Sequence, residues 1–344
     1  MGPLRIAVLL PHLGVYGGIR RFFELGQIWS RSGHDVTLAI PRDAREREAW
    51  LPFDGRIGEI ERVSTERWDV LLSPDPELFQ RVAVPGALRV FYAVLEGAPG
   101  AEAAWRGADL VFGNSAGMVR HLRRRGVPAL GAPGGVNLSR FHPPSVDARR
   151  ARAEQGGPVR AVVYGRLSRR RKGSAAAARA VETASRQAGV SVELALFDAP
   201  PPGSDGGEAD LRLSIPHRWV LRPSQEELAA LYGDADLFVS AERRAGWCNT
   251  AAEAMACGAA VVCTRSGTED FAEDGRTALV SRWPWAWSLA RRIVPLLRDP
   301  ALRARLAEVG RAKIGEFTWE RTAGVIEQGI GARLEGRVHA GTTS

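Results

Sequence analysis

The sequence contains no apolar run approaching the roughly 20 residues that a membrane-spanning helix needs, which excludes a helical integral membrane protein. The apolar opening at residues 6–10 is broken by Pro11 too soon for a signal peptide, and Gly2 lacks the following Ser or Thr of a myristoylation pattern. The predicted address is therefore the cytoplasm. Cysteine is scarce: Cys248, Cys257 and Cys263 show neither a C-x-x-C spacing nor a histidine partner suited to zinc, so they read as buried reduced thiols. Lysine is almost missing, with Lys172 and Lys313 the only two among 47 basic residues. A concentrated positive charge is also lacking, although the net charge is +8. Residues 1–150 carry 20 − 16 = +4 and the remainder 27 − 23 = +4. That even spread argues against a nucleic-acid partner and for a solvated surface. One local cluster stands apart, Arg120, Arg123, Arg124 and Arg125 with His121, on a predicted helix ending at Gly126. It suits an anionic acceptor or peripheral contact with anionic lipid at the inner face of the plasma membrane.

At 344 residues, 45% hydrophobic and 25% charged, the chain is long enough for two α/β domains. Residues 4–10 suit a buried parallel strand, a turn with Gly14, Gly17 and Gly18 follows, and a helix over 19–32 stops at Gly33. A second strand at 35–40 completes a βαβ unit, and apolar runs recur at 70–72, 89–94 and 110–112. Residues 143–158, polar and rich in Pro, Arg and Ala, read as the passage between domains. A second series of strands is predicted at 159–164, 192–197, 219–221, 237–240 and 260–263. The loop at 200–207 is expected to be exposed and mobile, and a helix over 317–334 to close the fold with a disordered tail beyond Gly336. The predicted domains are 1–145 and 146–316, followed by a crossover helix and tail over 317–344.

Two segments carry chemistry. Gly165-Arg166-Leu167-Ser168-Arg169-Arg170-Arg171-Lys172-Gly173 sits between a predicted strand and an Ala-rich helix. Its glycines permit a tight turn, its cations suit a diphosphate, and a helix N-terminus adds a favourable dipole. Alone, such a segment is equally a solvated turn. The second segment runs from Ala245 through Gly246, Trp247, Cys248, Asn249 and Thr250 to Glu253 and Gly258, again passing from a strand through a loop into a helix. Loop amides there can meet phosphate, and a carboxylate on the helix can accept two hydrogen bonds from a ribose diol; alone, Glu253 reads as an exposed helix glutamate.

Together these segments resemble the retaining glycosyltransferases of GT-B fold, the glycosyl transferases group 1 of E-x7-E type. Gly165, Arg166, Lys172 and Gly173 match a G-R-x-x-x-x-K-G type motif with one extra spacer residue, and Glu253 to Gly258 match E-A-M-A-x-G. Gly17-Gly18, Asn114-Ser115, and Gly135-Val136-Asn137 with Phe141 and Pro143 extend the likeness over nearly the whole chain. The resemblance implies an α/β protein of two facing Rossmann-like domains, with a C-terminal helix crossing back to the first. It implies metal-independent transfer of a hexose or deoxyhexose from a nucleotide diphosphate sugar to a polysaccharide, glycolipid, lipid-linked or small-molecule natural-product acceptor, with no cofactor beyond that donor. By the same resemblance Arg166 and Lys172 bind the diphosphate, Glu253 the ribose, Gly246, Trp247, Cys248, Asn249 and Thr250 lie beside phosphate and sugar, Leu221 and Arg222 lie near the base, and Gly17 and Gly18 approach the donor.

The chain departs from the pattern twice. Where the first glutamate of E-x7-E belongs stands Ala245, with Glu242 three residues earlier, and where many members place a histidine the chain reads Val94-Leu95-Glu96. Glu96 is thus a candidate catalytic acid or a solvated loop residue. Trp283, Trp285 and Trp287 are expected to pack beneath the C-terminal helices, since exposed indoles are costly. A catalytically silent nucleotide-sugar-binding relative and a sugar-nucleotide epimerase are the alternative readings.

Overall fold

The computed structural model describes residues 2–15, 17–95, 99–144, 156–200 and 211–341, with side chains to residue 337. The chain divides into two compact units, one comprising 1–135 with 318–344 and the other 136–317. The boundary falls at Gly135 rather than at 145, because Val136 and Phe141 are buried with Tyr232 and Phe238 in the second unit's core.

In the first unit strands β1 (Arg5–Leu9), β2 (Asp35–Ile40), β3 (Arg56–Glu59), β4 (Val70–Ser73), β5 (Leu88–Ala93), β6 (Leu110–Gly113) and β7 (Leu130–Gly131) form one sheet. Its order is β3-β2-β1-β4-β5-β6-β7, parallel throughout. The strands that read as continuous apolar runs are buried on both faces, as a parallel sheet covered by helices requires. Helices α1 (Gly17–Arg31), α2 (Ile60–Val63), α3 (Pro76–Arg81), α4 (Ala101–Arg106) and α5 (Ala116–Arg123) join them. Ser115 caps α5 by accepting from the Met118 amide, and α5 ends before Gly126, whose φ of 73° suits only a residue without Cβ.

The second unit repeats the plan. Strands β8 (Val159–Tyr164), β9 (Val192–Asp198), β10 (His217–Leu221), β11 (Leu237–Ser240), β12 (Ala260–Thr264) and β13 (Leu279–Ser281) form a parallel sheet in the order β10-β9-β8-β11-β12-β13. Helices α6 (Ser174–Ala188), α7 (Gln225–Asp234), α8 (Asn249–Ala256), α9 (Ala286–Arg298) and α10 (Pro300–Ile314) cover it. Strands β3, β7 and β13 lack a strong apolar run or are very short, which is why composition did not announce them. The loop expected at 200–207 lies outside the described residues except for Pro200.

Helix α11 (Trp319–Gly341) returns to the first unit, burying Trp319, Ala323, Ile326 and Ile330 in its core. It does not stop at Gly336. Arg337 reaches Asp109 at 2.7 Å and the Gly86 carbonyl at 3.3 Å, so the helix is anchored at that turn, and residues 342–344 of the expected tail lie outside the described residues. The three tryptophans also depart from expectation: Trp283, Trp285 and Trp287 are 46%, 46% and 56% exposed. Helix α9 covers the sheet with Leu289, Ile293, Leu296 and Leu297 instead, and Trp287 lies nearly opposite Leu289 on the helix wheel.

The return of α11 depends on Gly135. A Cβ there would collide with the backbone of Thr318 and Trp319, which cannot swing aside as a side chain could. Gly135→Ala should lower unfolding stability by about 1–3 kcal/mol, measured by denaturant titration; an unchanged midpoint would show that the close approach carries no weight.

Candidate functional site

In a doubly wound sheet the strand order reverses where the chain first crosses over, and the loops leaving the carboxyl ends of the two flanking strands diverge to open a crevice. In the second unit that point lies between β8 and β11. The two sequence-predicted segments are the loops that leave those strands.

The first loop leaves β8 at Gly165. A Cβ there would strike the Trp219 ring, so glycine lets the indole from β10 lie against the loop backbone that leaves β8. It ends at Gly173, with φ of 65°, where a Cβ would meet the Ala241 carbonyl oxygen. That missing atom lets the basic loop lie directly on the start of the second loop. Hydrogen bonds fix the contact: the Arg243 amide donates to the Arg171 carbonyl at 2.7 Å, and Arg171 Nη1 donates to the Arg244 carbonyl at 3.1 Å. Lys172 Nζ meets Glu242 Oε2 at 2.8 Å, and Arg171 Nη1 lies 3.4 Å from Glu242 Oε1.

Glu242 is buried, whereas Lys172 keeps about a fifth of its side chain in solvent. Burial pushes the Glu242 carboxyl above the ordinary carboxylate range, against the pull of Lys172 and Arg171. Lys172 also lies 5.5 Å from the Tyr164 ring, and burial pushes that phenol up to about 12. The loop continues through Ala245, whose amide donates to Ser266 Oγ at 2.8 Å, and the Cys248 amide donates to the Gly267 carbonyl at 2.8 Å. Gly246, Trp247 and Cys248 are buried, with Trp247 against Phe271 and Phe317 at ring distances of 5.0 and 5.4 Å. Asn249 and Thr250 open α8, and Glu253 lies one turn in, buried rather than exposed.

Arg166 is arranged otherwise than a solvent-facing phosphate ligand. Its Nε donates to Asp198 Oδ1 at 2.6 Å, both side chains are buried, and its Nη2 donates to the Ala199 carbonyl. Asp198 was missed from sequence; the acid ending the apolar run of β9 was its only signal. Glu242 was seen as out of register, but its pairing with Lys172 was not foreseeable from spacing. Leu221, about one-third exposed, ends β10 on the same sheet edge, and Arg222 follows in the left-handed region at φ 51°. In the first unit Gly17 and Gly18 form the first residues of α1, directly after the β1 loop. Glu96 lies outside the described residues. All three cysteines are free and buried; burial raises the Cys248 thiol and pushes Cys263 up to about 12. Among the described residues no group of three or more His, Cys, Asp or Glu is placed to hold a metal ion.

Two Rossmann-like units, with a cationic loop and a helix N-terminus at the second unit's switch point, define the GT-B architecture. Sucrose-phosphate synthase from Thermosynechococcus elongatus shares this fold with a TM-score of 0.76 and 19% identity over 98% of this chain and 100% of that one. Anabaena HepE, solved in complex with UDP and glucose, gives 0.74 and 14% identity over 95% and 99%. Residues 158–299, within the second unit, match the sequence model of the family described as glycosyl transferases group 1. The D-inositol 3-phosphate glycosyltransferase of Corynebacterium jeikeium is 30% identical over 208 residues, 56% of this chain and 48% of that protein. The chain thus spans about half the length of such relatives.

The raised Glu242 carboxyl gives a pH signature. A folded-state pKa above the unfolded value means that this group's stabilising contribution is complete below the ordinary carboxylate range and is lost as pH rises through the raised value. The stability of the parent relative to Glu242→Gln should therefore fall as pH rises across that window. A difference that grew with pH would mean that the two cations outweigh burial.

Proposed function

We propose that this protein is a metal-independent, retaining glycosyltransferase that moves a hexose or deoxyhexose from a nucleoside diphosphate sugar to a polysaccharide, glycolipid or natural-product acceptor. The observation that carries the reading is the Lys172 and Arg171 pair held at the switch point, beside the N-terminus of α8 and one helical turn from buried Glu253. As the bond between the anomeric carbon and phosphate breaks, negative charge grows on the diphosphate. Cations fixed beforehand stabilise that state more than the ground state. Lys172 is held by Glu242 yet part-exposed, so it can offer remaining N–H donors to phosphate without leaving its partner. Arg166, neutralised by Asp198, acts in this reading by shaping the loop and lending a partial field rather than as a full free charge. The HepE complex with UDP and glucose and the match to the group 1 family support a nucleotide-sugar donor. The name of the Corynebacterium relative makes a phosphorylated polyol one acceptor to test.

Position 245 bears on the sugar. Glu242 is buried against Lys172 and Arg171, which favours a donor sugar that needs no carboxylate at 245 over one gripped by a reoriented Glu242. A deoxy or otherwise modified sugar loses little there. A catalytically silent nucleotide-sugar binder is the competing reading, because the carboxylate expected at 245 is replaced by alanine.

Thermal shift across nucleoside diphosphates and their sugars tests the donor site, since a selective ligand raises the melting point by mass action. No shift at millimolar concentration would overturn the assignment. Lys172→Ala should still fold, less stably because buried Glu242 loses its nearer cation, and should lower transfer by about a hundredfold or more. Glu253→Gln should weaken nucleotide binding by roughly 1.5 to 3 kcal/mol if its hydrogen bonds to ribose are lost. Binding without any transfer, in the parent and in Ala245→Glu alike, would establish the silent relative.

A further inference from the structure

The segment after β13 presents three large indoles to solvent. Trp285 occupies the N-cap of α9 and makes no capping hydrogen bond, although Ser, Thr, Asp or Asn there would stabilise the helix. The aromatic run therefore serves neither the core nor the helix start. Its surroundings are cationic. From 275 to 298 the chain carries Arg276, Arg282, Arg291, Arg292 and Arg298 and no acidic residue. Arg282 lies over the Trp283 ring at 5.2 Å, and Arg243, from the loop bearing Glu242, lies over Trp285 at 4.7 Å. Next to Trp283 an open cavity of about 510 Å³ is lined by Arg265, Arg282, Arg292, Asp274 and Val280. Asp274 pairs with Arg292 at 3.0 Å, while Arg265 and Arg282 form no ion pair among the described residues.

We propose that this face, the Trp283–Trp285–Trp287 ridge with the Arg265–Arg282–Arg292 cavity, docks on a membrane of anionic phospholipid. Indoles partition to the boundary between hydrocarbon and water, where the ring is apolar and its N–H remains solvated. Guanidiniums beside them take phosphate oxygens in bidentate fashion, and a negative surface potential favours each additional arginine. A neutral glycan would satisfy the rings but leave the cavity's two unpaired guanidiniums without a counter-charge. Helix α5 offers charge alone: Arg123 donates to the Ala129 carbonyl, Arg125 is bonded to His121, and Trp105 beside them is buried. The inference does not depend on the transfer chemistry. Because Arg243 is bonded through its amide to Arg171, the docked face adjoins the basic loop.

The test is co-sedimentation of the full chain with vesicles of phosphatidylcholine alone and of phosphatidylcholine with one part in three phosphatidylglycerol, read together with tryptophan emission. Binding is expected on the mixed vesicles, with a blue shift of emission, and should fall about tenfold or more when salt is raised to screen surface charge. Replacing Trp283, Trp285 and Trp287 by Ser, or Arg265 and Arg282 by Gln, should each weaken it about tenfold or more, whereas Ser at Arg120, Arg123, Arg124 and Arg125 should leave it. Trp283, Trp285, Trp287, Arg265 and Arg282 are exposed on the docking face and the four α5 arginines are exposed in the first unit, and circular dichroism checks folding. Vesicle binding that survives the tryptophan changes, or moves with the α5 arginines, overturns the proposal. So does retention on an immobilised glycan without vesicle binding, saturation of the arginines by inorganic phosphate without vesicle binding, or a dimer that dissociates when the tryptophans are replaced.

Discussion

The candidate site depends on a backbone contact that only glycine permits. Where Gly173 crosses Ala241 there is no room for a Cβ, and the left-handed φ suits a residue without one. Remove that closeness and the basic loop would stand off from the end of β11, so Lys172 and Arg171 could no longer reach Glu242. The ion pairs are thus a consequence of main-chain packing at the switch point rather than its cause. What the pairs add is order: long cationic side chains lose much rotamer freedom when held, and the buried carboxylate already imposes that loss in the folded chain.

Burying acids beneath a cationic loop has an electrostatic cost, and the second unit meets it twice. Asp198 faces Arg166 and Glu242 faces Lys172, each acid at the carboxyl end of β9 or just after β11. Glu242 meets Arg171 and Lys172 within the four consecutive cations from Arg169 to Lys172, and Asp198 pairs with Arg166 just before them. Without these two acids the loop's self-repulsion would oppose its compact turn. With both in place, Arg166 and Lys172 are held by buried partners rather than by solvent alone.

Much of this architecture is legible in the residues. Continuous apolar runs such as 159–164 and 237–240 fit only strands covered on both faces, and the glycines at 165 and 173 mark the tight loop between strand and helix. The legible part ends where identity depends on tertiary partners. Counting from Glu253 puts Ala245 in register and Glu242 out of it, yet spacing cannot show that Glu242 turns inward to Lys172. Arg166 reads as a phosphate ligand until Asp198, 32 residues away in sequence, is seen against it. The tryptophans misled for a different reason: average burial cost says indoles go inside, but α9 already fills the sheet face with Leu289, Ile293 and Leu296, leaving no volume for them.

The near absence of lysine gives Lys172 its meaning. Arginine spreads a planar fork of donors over several acceptors, as Arg166 does with Nε on Asp198 and Nη2 on the Ala199 carbonyl. An ammonium is a compact charge with three donors; Lys172 contributes one to Glu242 Oε2 in a 2.8 Å contact. In a chain that chooses arginine nearly everywhere else, the single lysine of this loop pairs with a buried acid while keeping about a fifth of its side chain in solvent.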